Sequence, residues 1–268
     1  MRFAELHSGG RAGFIPFLTA GDPDAETSSA ILEKLPQAGA DIIELGMPFS
    51  DPMADGPAIQ ASSTRALHAG MNIKKMLALV ERFRKGDTKT PIVLMGYFNP
   101  IHAYGVEKFA CDAGAAGVDG LIVVDLPPEE GAVLRGPAKA AGLDIVRLAT
   151  PTTDDRRLAT VLDGAGGFLY YVSIAGVTGT KTFTEEHVRD AISRIRRVSQ
   201  LPCAVGFGIR TPEQAAQIAR FADAAVVGSA IVSAIAKGLA EGKAKVDVIA
   251  ETLGLCRRLA NAIRQARV

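Results

Sequence analysis

The sequence predicts a single parallel α/β barrel, and three observations carry that reading. Short apolar runs, rich in Ile, Val, Leu and Phe, recur from one end of the chain to the other. Longer segments with helical spacing of apolar residues separate them. Eight such units fit within 268 residues, with no linker and no shift in composition. That alternation and length match a closed (β/α)8 TIM barrel, one domain over 1–268.

The predicted strands are Phe14–Thr19, Asp41–Leu45, Pro91–Met95, Gly120–Val124, Asp144–Ala149, Phe168–Val172, Cys203–Phe207 and Ala224–Val227. Near-continuous apolar runs of this length mark parallel strands covered on both faces. The helical segments end where their breakers fall. Thr27–Gln37 stops before Ala38-Gly39, Ile73–Arg84 before Lys85-Gly86, and Val106–Ala113 before Gly114. Glu129–Ala140 stops before Gly142, and Glu185–Val198 before Leu201-Pro202. Glu213–Arg220 opens behind Thr211-Pro212, an N-cap followed by proline at the first helical position. A short extra helix, Ala230–Ala236, follows the eighth strand, and Val246–Gln265 closes the chain. A doubly wound open sheet is the competing architecture. It would announce a G-x-G-x-x-G after its first strand, and none follows Phe14–Thr19.

Composition narrows the function classes. Hydrophobic residues make up 48% and charged residues 22%, enough for a sizeable core and too apolar for disorder. Thirty basic and twenty-nine acidic side chains give a net charge of +1, which argues against a nucleic-acid-binding protein. Cys111, Cys203 and Cys256 are far apart and form no C-x-x-C, as expected in a reducing cytoplasm. The longest charge-free runs, Thr90–Val106 and Gly164–Thr180, are broken by Gly, so no membrane span is expected. The N-terminal residues contain no apolar stretch of secretory-signal length.

The second strand, Asp41-Ile-Ile-Glu-Leu-Gly46, carries a carboxylate that packing alone does not want. Side chains alternate along a strand, so Ile43 and Leu45 share one face and Ile42, Glu44 and Gly46 the other. Outward faces pack on helices, which suits Ile43 and Leu45. Glu44 then turns into the barrel near its C-terminal rim, where barrel active sites are built. Burying a carboxylate costs several kcal/mol unless it is paired or functional. A structural Glu held by backbone N–H groups is the plain alternative. The following loop, Ser50-Asp-Pro-Met-Ala-Asp-Gly-Pro57, brings two more carboxylates over the same mouth. One of Asp51 and Asp55 is expected to start a turn, as Asp before Pro or Gly does. The other would allow acid and base roles to be divided between differently solvated carboxyls.

Glycine-rich turns follow the last three strands: Ala175-Gly-Val-Thr-Gly-Thr180, Gly206-Phe-Gly-Ile209 and Gly228-Ser-Ala230. Glycine lets backbone approach a ligand closely, and a helix N-terminus presents unpaired N–H groups to an anion. Their convergence on successive rim loops predicts a phosphate-bearing ligand. Tyr97, Phe98, Tyr170 and Phe207 gather at strand ends and suit either core packing or a pocket for a flat ring. His7, His68, His102 and His187 form no cluster of metal spacing, so no metal is inferred. Cys203 reads as a buried, inert thiol. Arg147, odd within a strand, is expected to face outward in an ion pair with a helix carboxylate.

The run Glu44-Leu-Gly-Met-Pro-Phe-Ser-Asp-Pro-Met-Ala-Asp-Gly-Pro-Ala-Ile-Gln60 resembles the signature of the tryptophan synthase alpha subunit family. The resemblance extends to Phe17-Leu-Thr-Ala-Gly-Asp-Pro23, Met95-Gly-Tyr-Phe-Asn-Pro100, Asp125-Leu-Pro127, Ala175-Gly-Val-Thr-Gly179 and Gly206-Phe-Gly-Ile209. It implies a lyase that cleaves indole-3-glycerol phosphate into indole and glyceraldehyde 3-phosphate, with no cofactor in this chain. It implies that Glu44 is the acid/base carboxylate and that Asp55 binds the indole N–H and stabilises its cationic form. Gly179, Gly208, Gly228 and Ser229 would hold the phosphate. Phe17, Tyr97, Tyr170 and Phe207 would line the indole pocket, and Thr178 would belong to a closing loop. The resemblance further implies an α2β2 assembly with a beta subunit that carries pyridoxal phosphate and receives the indole. Contact loops are expected at Pro48–Pro57, Asn99–Tyr104 and Asp125–Pro128. Ile174 and Arg147 depart from the family pattern.

Overall fold

The computed structural model describes residues 2–173, 185–206 and 208–267 of the chain. The strands are β1 (Gly13–Thr19), β2 (Ile43–Gly46), β3 (Ile92–Gly96), β4 (Gly120–Val123), β5 (Asp144–Ile145), β6 (Arg147–Ala149), β7 (Leu169–Val172), β8 (Cys203–Gly206) and β9 (Ala224–Val227). All pair in parallel, in the order β5-β4-β3-β2-β1-β9-β8-β7-β6. The two ends of that order, β5 and β6, are halves of one predicted strand on either side of Val146. The Val146 N–H donates to Leu121 O at 2.9 Å, so the path closes into a ring of eight strand positions. The open-sheet alternative is thereby excluded.

Alternation along the strands separates the apolar interior into two bodies. Phe14, Leu18, Ile43, Leu45, Ile92 and Leu94 face outward and join the shell between strands and helices. Ile15, Ile42, Val93, Ile122, Val146 and Ala204 face inward and fill the barrel. A one-residue slip would exchange these sets, so burial on both faces fixes the register.

The helices are α1 (Arg2–Ser8), α2 (Ala25–Lys34), α3 (Pro57–His68), α4 (Ile73–Arg84), α5 (Phe98–Tyr104), α6 (Val106–Ala116), α7 (Ala132–Ala140), α8 (Asp155–Leu162), α9 (Glu185–Val198), α10 (Pro212–Ala219), α11 (Ser229–Ala240) and α12 (Lys245–Gln265). Local chemistry sets several boundaries. Asp24 caps α2 by accepting from the N–H groups of Glu26 and Thr27, and the helix ends before Pro36. Thr211 and Gln214 form a capping box on α10. The extra helix α11 is longer than expected and opens one residue earlier, at Ser229.

Four helices are absent from the sequence prediction: α1, α3, α5 and α8. The polar helix α3 begins within the signature stretch and runs eight residues beyond it. Helix α5 lies where a rim loop was expected and carries Asn99-Pro100 in its first turn. Helix α1 sits across the N-terminal mouth of the barrel. Its Arg2 meets the buried Asp41 at 2.6 Å, and Phe3 packs on Phe168 with ring centroids 5.6 Å apart.

Arg147 shares the outward face of its strand with Ile145 and Ala149; it is buried there and makes no ion pair among the described residues. Its Nη1 donates to Leu126 O at 3.2 Å, and the 3-10 turn Pro128–Glu130 lies nearby. The expected carboxylate partner is a carbonyl instead.

Among the described residues no helix is long and apolar enough to cross a membrane. No group of three or more His, Cys, Asp or Glu among them is arranged to hold a metal ion. Cys203 is fully buried, and burial pushes its thiol up to about 12, as an inert core cysteine requires.

Candidate active site

At the C-terminal rim a cavity of about 210 Å³ is lined by Phe17, Glu44, Asp55, Tyr170, Gly206, Gly208, Gly228 and Ser229, among others. The side chain of Glu44 is turned into the barrel on β2, level with Phe17 of β1 in the parallel register. It is 2% exposed. Burial, and then the negative charge of Asp55, push its carboxyl up to about 8. A carboxyl in that condition holds its proton near neutrality.

Asp55 reaches the same cavity from the loop between β2 and α3. Its N–H donates to Pro52 O at 3.0 Å, closing a tight turn. Tyr97 straps that turn: its hydroxyl accepts from the Ala54 N–H at 3.0 Å and also hydrogen-bonds the Asp55 carboxylate. Burial raises the pKa of Asp55 while the Tyr97 hydrogen bond works the other way. Asp51 is exposed and outside the cavity; its carbonyl accepts from Met53 N–H at 2.8 Å. The two acidic residues therefore divide as expected, Asp51 starting the turn and Asp55 facing the site.

Tyr170 lines the same cavity as the two carboxyls. Burial and then the charges of Glu44 and Asp55 hold its hydroxyl well above its ordinary value. Glycine is needed beside it, because a Cβ on Gly206 would run into the Tyr170 hydroxyl.

Glycine backbone forms part of the cavity wall. Gly208 has φ of +56°, a region that favours glycine, and among the described residues nothing lies within 4 Å of where a side chain would begin. Gly228 caps α11, and the N–H groups of Ile231 and Val232 bond back to Gly228 O at 2.8 and 3.2 Å. That leaves the earlier N–H groups at Ser229 and Ala230 to meet an anion.

Most of the predicted residues thus converge. Phe17, Glu44, Asp55, Tyr170, Gly208, Gly228 and Ser229 share one cavity. Tyr97 borders a smaller adjoining space that shares Phe17, Asp55, Ile59 and Met95 with this cavity. Thr178, Gly179, Phe207 and the departure at Ile174 lie outside the described residues. The sequence reading missed Ser173, Ile59 and Met95 in the cavity wall. Met95 was legible from strand alternation, whereas Ile59 needed the unpredicted helix α3.

The fold and the site define a parallel α/β barrel with two carboxyls and glycine backbone around one rim cavity. The chain matches the model of the family described as tryptophan synthase alpha chain over residues 3–264. A tryptophan synthase subunit alpha from Legionella pneumophila str. Paris is 39% identical, with 98% of this chain and 96% of that one covered and a TM-score of 0.90. A Mycobacterium tuberculosis tryptophan synthase in an open form with BRD0059 bound is 35% identical, with 98% and 97% covered and a TM-score of 0.87. A chain from Aquifex aeolicus VF5 is 36% identical, with 98% of each covered and a TM-score of 0.88. The chain belongs to the tryptophan synthase alpha chain family. It is therefore of a lyase family, and membership implies a beta-subunit partner.

Proposed function

We propose that this chain cleaves indole-3-glycerol phosphate by a retro-aldol step, with 1–268 acting as one catalytic domain. The observation that carries the reading is Glu44, buried, inward-facing and set beside Asp55 in a cavity whose wall is partly glycine backbone. A substrate with a flat ring at one end and a phosphate at the other matches that division.

Carbon–carbon cleavage requires a proton on indole carbon three and removal of a proton from the side-chain hydroxyl. Glu44, protonated near neutrality, donates to the ring carbon and becomes a carboxylate. That carboxylate then takes the hydroxyl proton as the carbon–carbon bond breaks. The bond's electrons return to the ring, giving indole and an aldehyde, and Glu44 ends as it began. Between these steps the ring is cationic. Asp55, held on the loop by Tyr97, accepts from the indole N–H and stabilises that charge. The raised pKa of Glu44 and the partnered state of Asp55 separate the acid from the anion.

Phe17 and Tyr170 flank the ring, with Phe207 completing the pocket and Tyr97 acting on Asp55 from the adjoining space. Gly208, Gly228 and Ser229 bind the phosphate; the family resemblance adds Gly179 to them and assigns Thr178 to loop closure. No cofactor is needed in this chain, and pyridoxal phosphate belongs to the beta subunit. The working assembly is α2β2, located in the cytoplasm, with indole passed between subunits.

The test is indole release from indole-3-glycerol phosphate by the purified chain, alone and with a tryptophan synthase beta subunit. Turnover should appear in both, and Asp55→Asn should lower it about 10²-fold. No indole release in either condition would reject the reading.

A further inference from the structure

Two cavities meet at Asp55. Adjoining the substrate cleft, and sharing Phe17, Ile59, Met95 and Asp55 with it, lies a second space of about 10 Å³ whose other polar liners are Thr19, Ser63 and Tyr97. That is close to the room one water molecule needs. Thr19 ends β1 on the inward-facing side, after Ile15 and Phe17, and lies beside Gly46, which has no side chain to cover it. The residue is 1% exposed, and its Oγ1 has no hydrogen-bond partner among the described residues. A buried hydroxyl without a partner is rare in a folded protein, and valine would fill the same volume without that cost. Ser63 of α3, 4% exposed, brings a second hydroxyl to the same space. The Asp55 carboxylate, already bonded by Tyr97, supplies an acceptor there.

We propose that Thr19 and Ser63 hold a single water against the Asp55 carboxylate, which makes Thr19 a positioning residue for the charge that stabilises the reacting ring. The role in turnover rests on the assignment of Asp55 given above. Each hydroxyl donates to the water, and the water donates to the carboxylate. The anion is thereby partnered from the adjoining space, and its rotation is restrained.

Three measurements on the full chain test this. A crystal structure that resolves ordered water should place one within hydrogen-bond distance of both Thr19 Oγ1 and Asp55; clear density without it overturns the proposal. Thr19→Val should lower kcat about tenfold with KM changed less than about twofold, and Thr19→Ser should restore kcat. Wild-type kcat in the valine variant, or a serine variant no better than valine, overturns it. Carbon-13 titration of the Asp55 carboxyl should move upward in Thr19→Val, and an unmoved titration also overturns it. If the wild-type chain releases no indole, the reaction assignment fails, while the density and the titration still decide the water site. Should Thr19→Val not fold, Ser63→Ala carries the same kinetic and titration tests.

Discussion

At the scale of single residues, the central fact is that Glu44 keeps a proton where an ordinary glutamic acid has lost it. The unfolded chain releases that proton near 4.5 and the folded chain near 8. Between those values the native state binds the extra proton, so this group's stabilising contribution is complete below 4.5 and is lost as pH rises to about 8. Glu44→Gln cannot ionise and should therefore gain on the wild type as pH rises. Thermal unfolding should show little difference near the lower value and an advantage on the order of 5 kcal/mol above the upper one. The same substitution should lower indole release by about 10³-fold or more, because acid and base are both removed. In the wild type, turnover should fall on the alkaline side around 8, as Glu44 loses the proton it donates. Equal unfolding profiles in the two proteins would mean that the carboxyl is solvated. Glu44 was legible from strand alternation alone. Its charge state was not, because that depends on how completely the barrel excludes water and on Asp55 arriving from another segment.

Among the elements, α3 decides where Asp55 sits. Its Ser62 donates to the buried Asp22 at 2.5 Å, and Arg65 clamps the same carboxylate with two hydrogen bonds of 2.7 Å each. Asp22 follows β1, so the clamp ties the segment after Asp55 to the first strand's rim loop. Removing one partner strands a buried charge. Arg65→Ala should therefore cost about 3 kcal/mol by denaturant unfolding. It should also lower turnover at substrate saturation, since the loop before α3 loses its anchor; unchanged kcat would detach the clamp from the site. The helix itself was invisible in the pattern of residues. Its run Ala58-Ile-Gln-Ala-Ser-Ser-Thr-Arg-Ala66 is weakly apolar, and only Ser62, Ser63 and Ala66 are buried in it. Helix α11 was legible because Gly228-Ser229 precedes a strongly apolar run. There Gly228→Val should raise KM about tenfold or more, since a side chain would meet Phe17 and the approach of phosphate. Unchanged KM would remove Gly228 from the anion cradle.

For the whole molecule, closure of the ring is what gathers the site. The carboxyls come from the β2 region and the cradle from the turns after β8 and β9. These parts are brought together because β1 pairs with both β2 and β9. Helix α12 reinforces the closure from outside, where Ala260 packs so closely on Gly39 that any side chain there would collide. The catalytic rim also carries Met53, 85% exposed, on the loop that holds Asp55. A partner seated on this rim would touch the catalytic loop directly. Mixing the chain with a tryptophan synthase beta subunit should give a complex with the mass of two of each by light scattering, and should raise the rate of indole release. A complex of any other composition would reject the proposed assembly.

By itself the sequence determined the strand order of the barrel, the inward turn of Glu44 and the glycine turns at the rim. Those follow from periodicity and local backbone freedom, which neighbouring residues settle. Residue pattern alone left Asp51 and Asp55 open and the family resemblance chose Asp55; the tertiary structure places Asp55 and not Asp51 on the cavity, sets Tyr97 on the adjoining space and gives Arg147 a carbonyl partner. It also decided the proton affinity of Glu44. Each of these depends on distances between segments far apart in the chain, and on how much water the closed ring leaves between them.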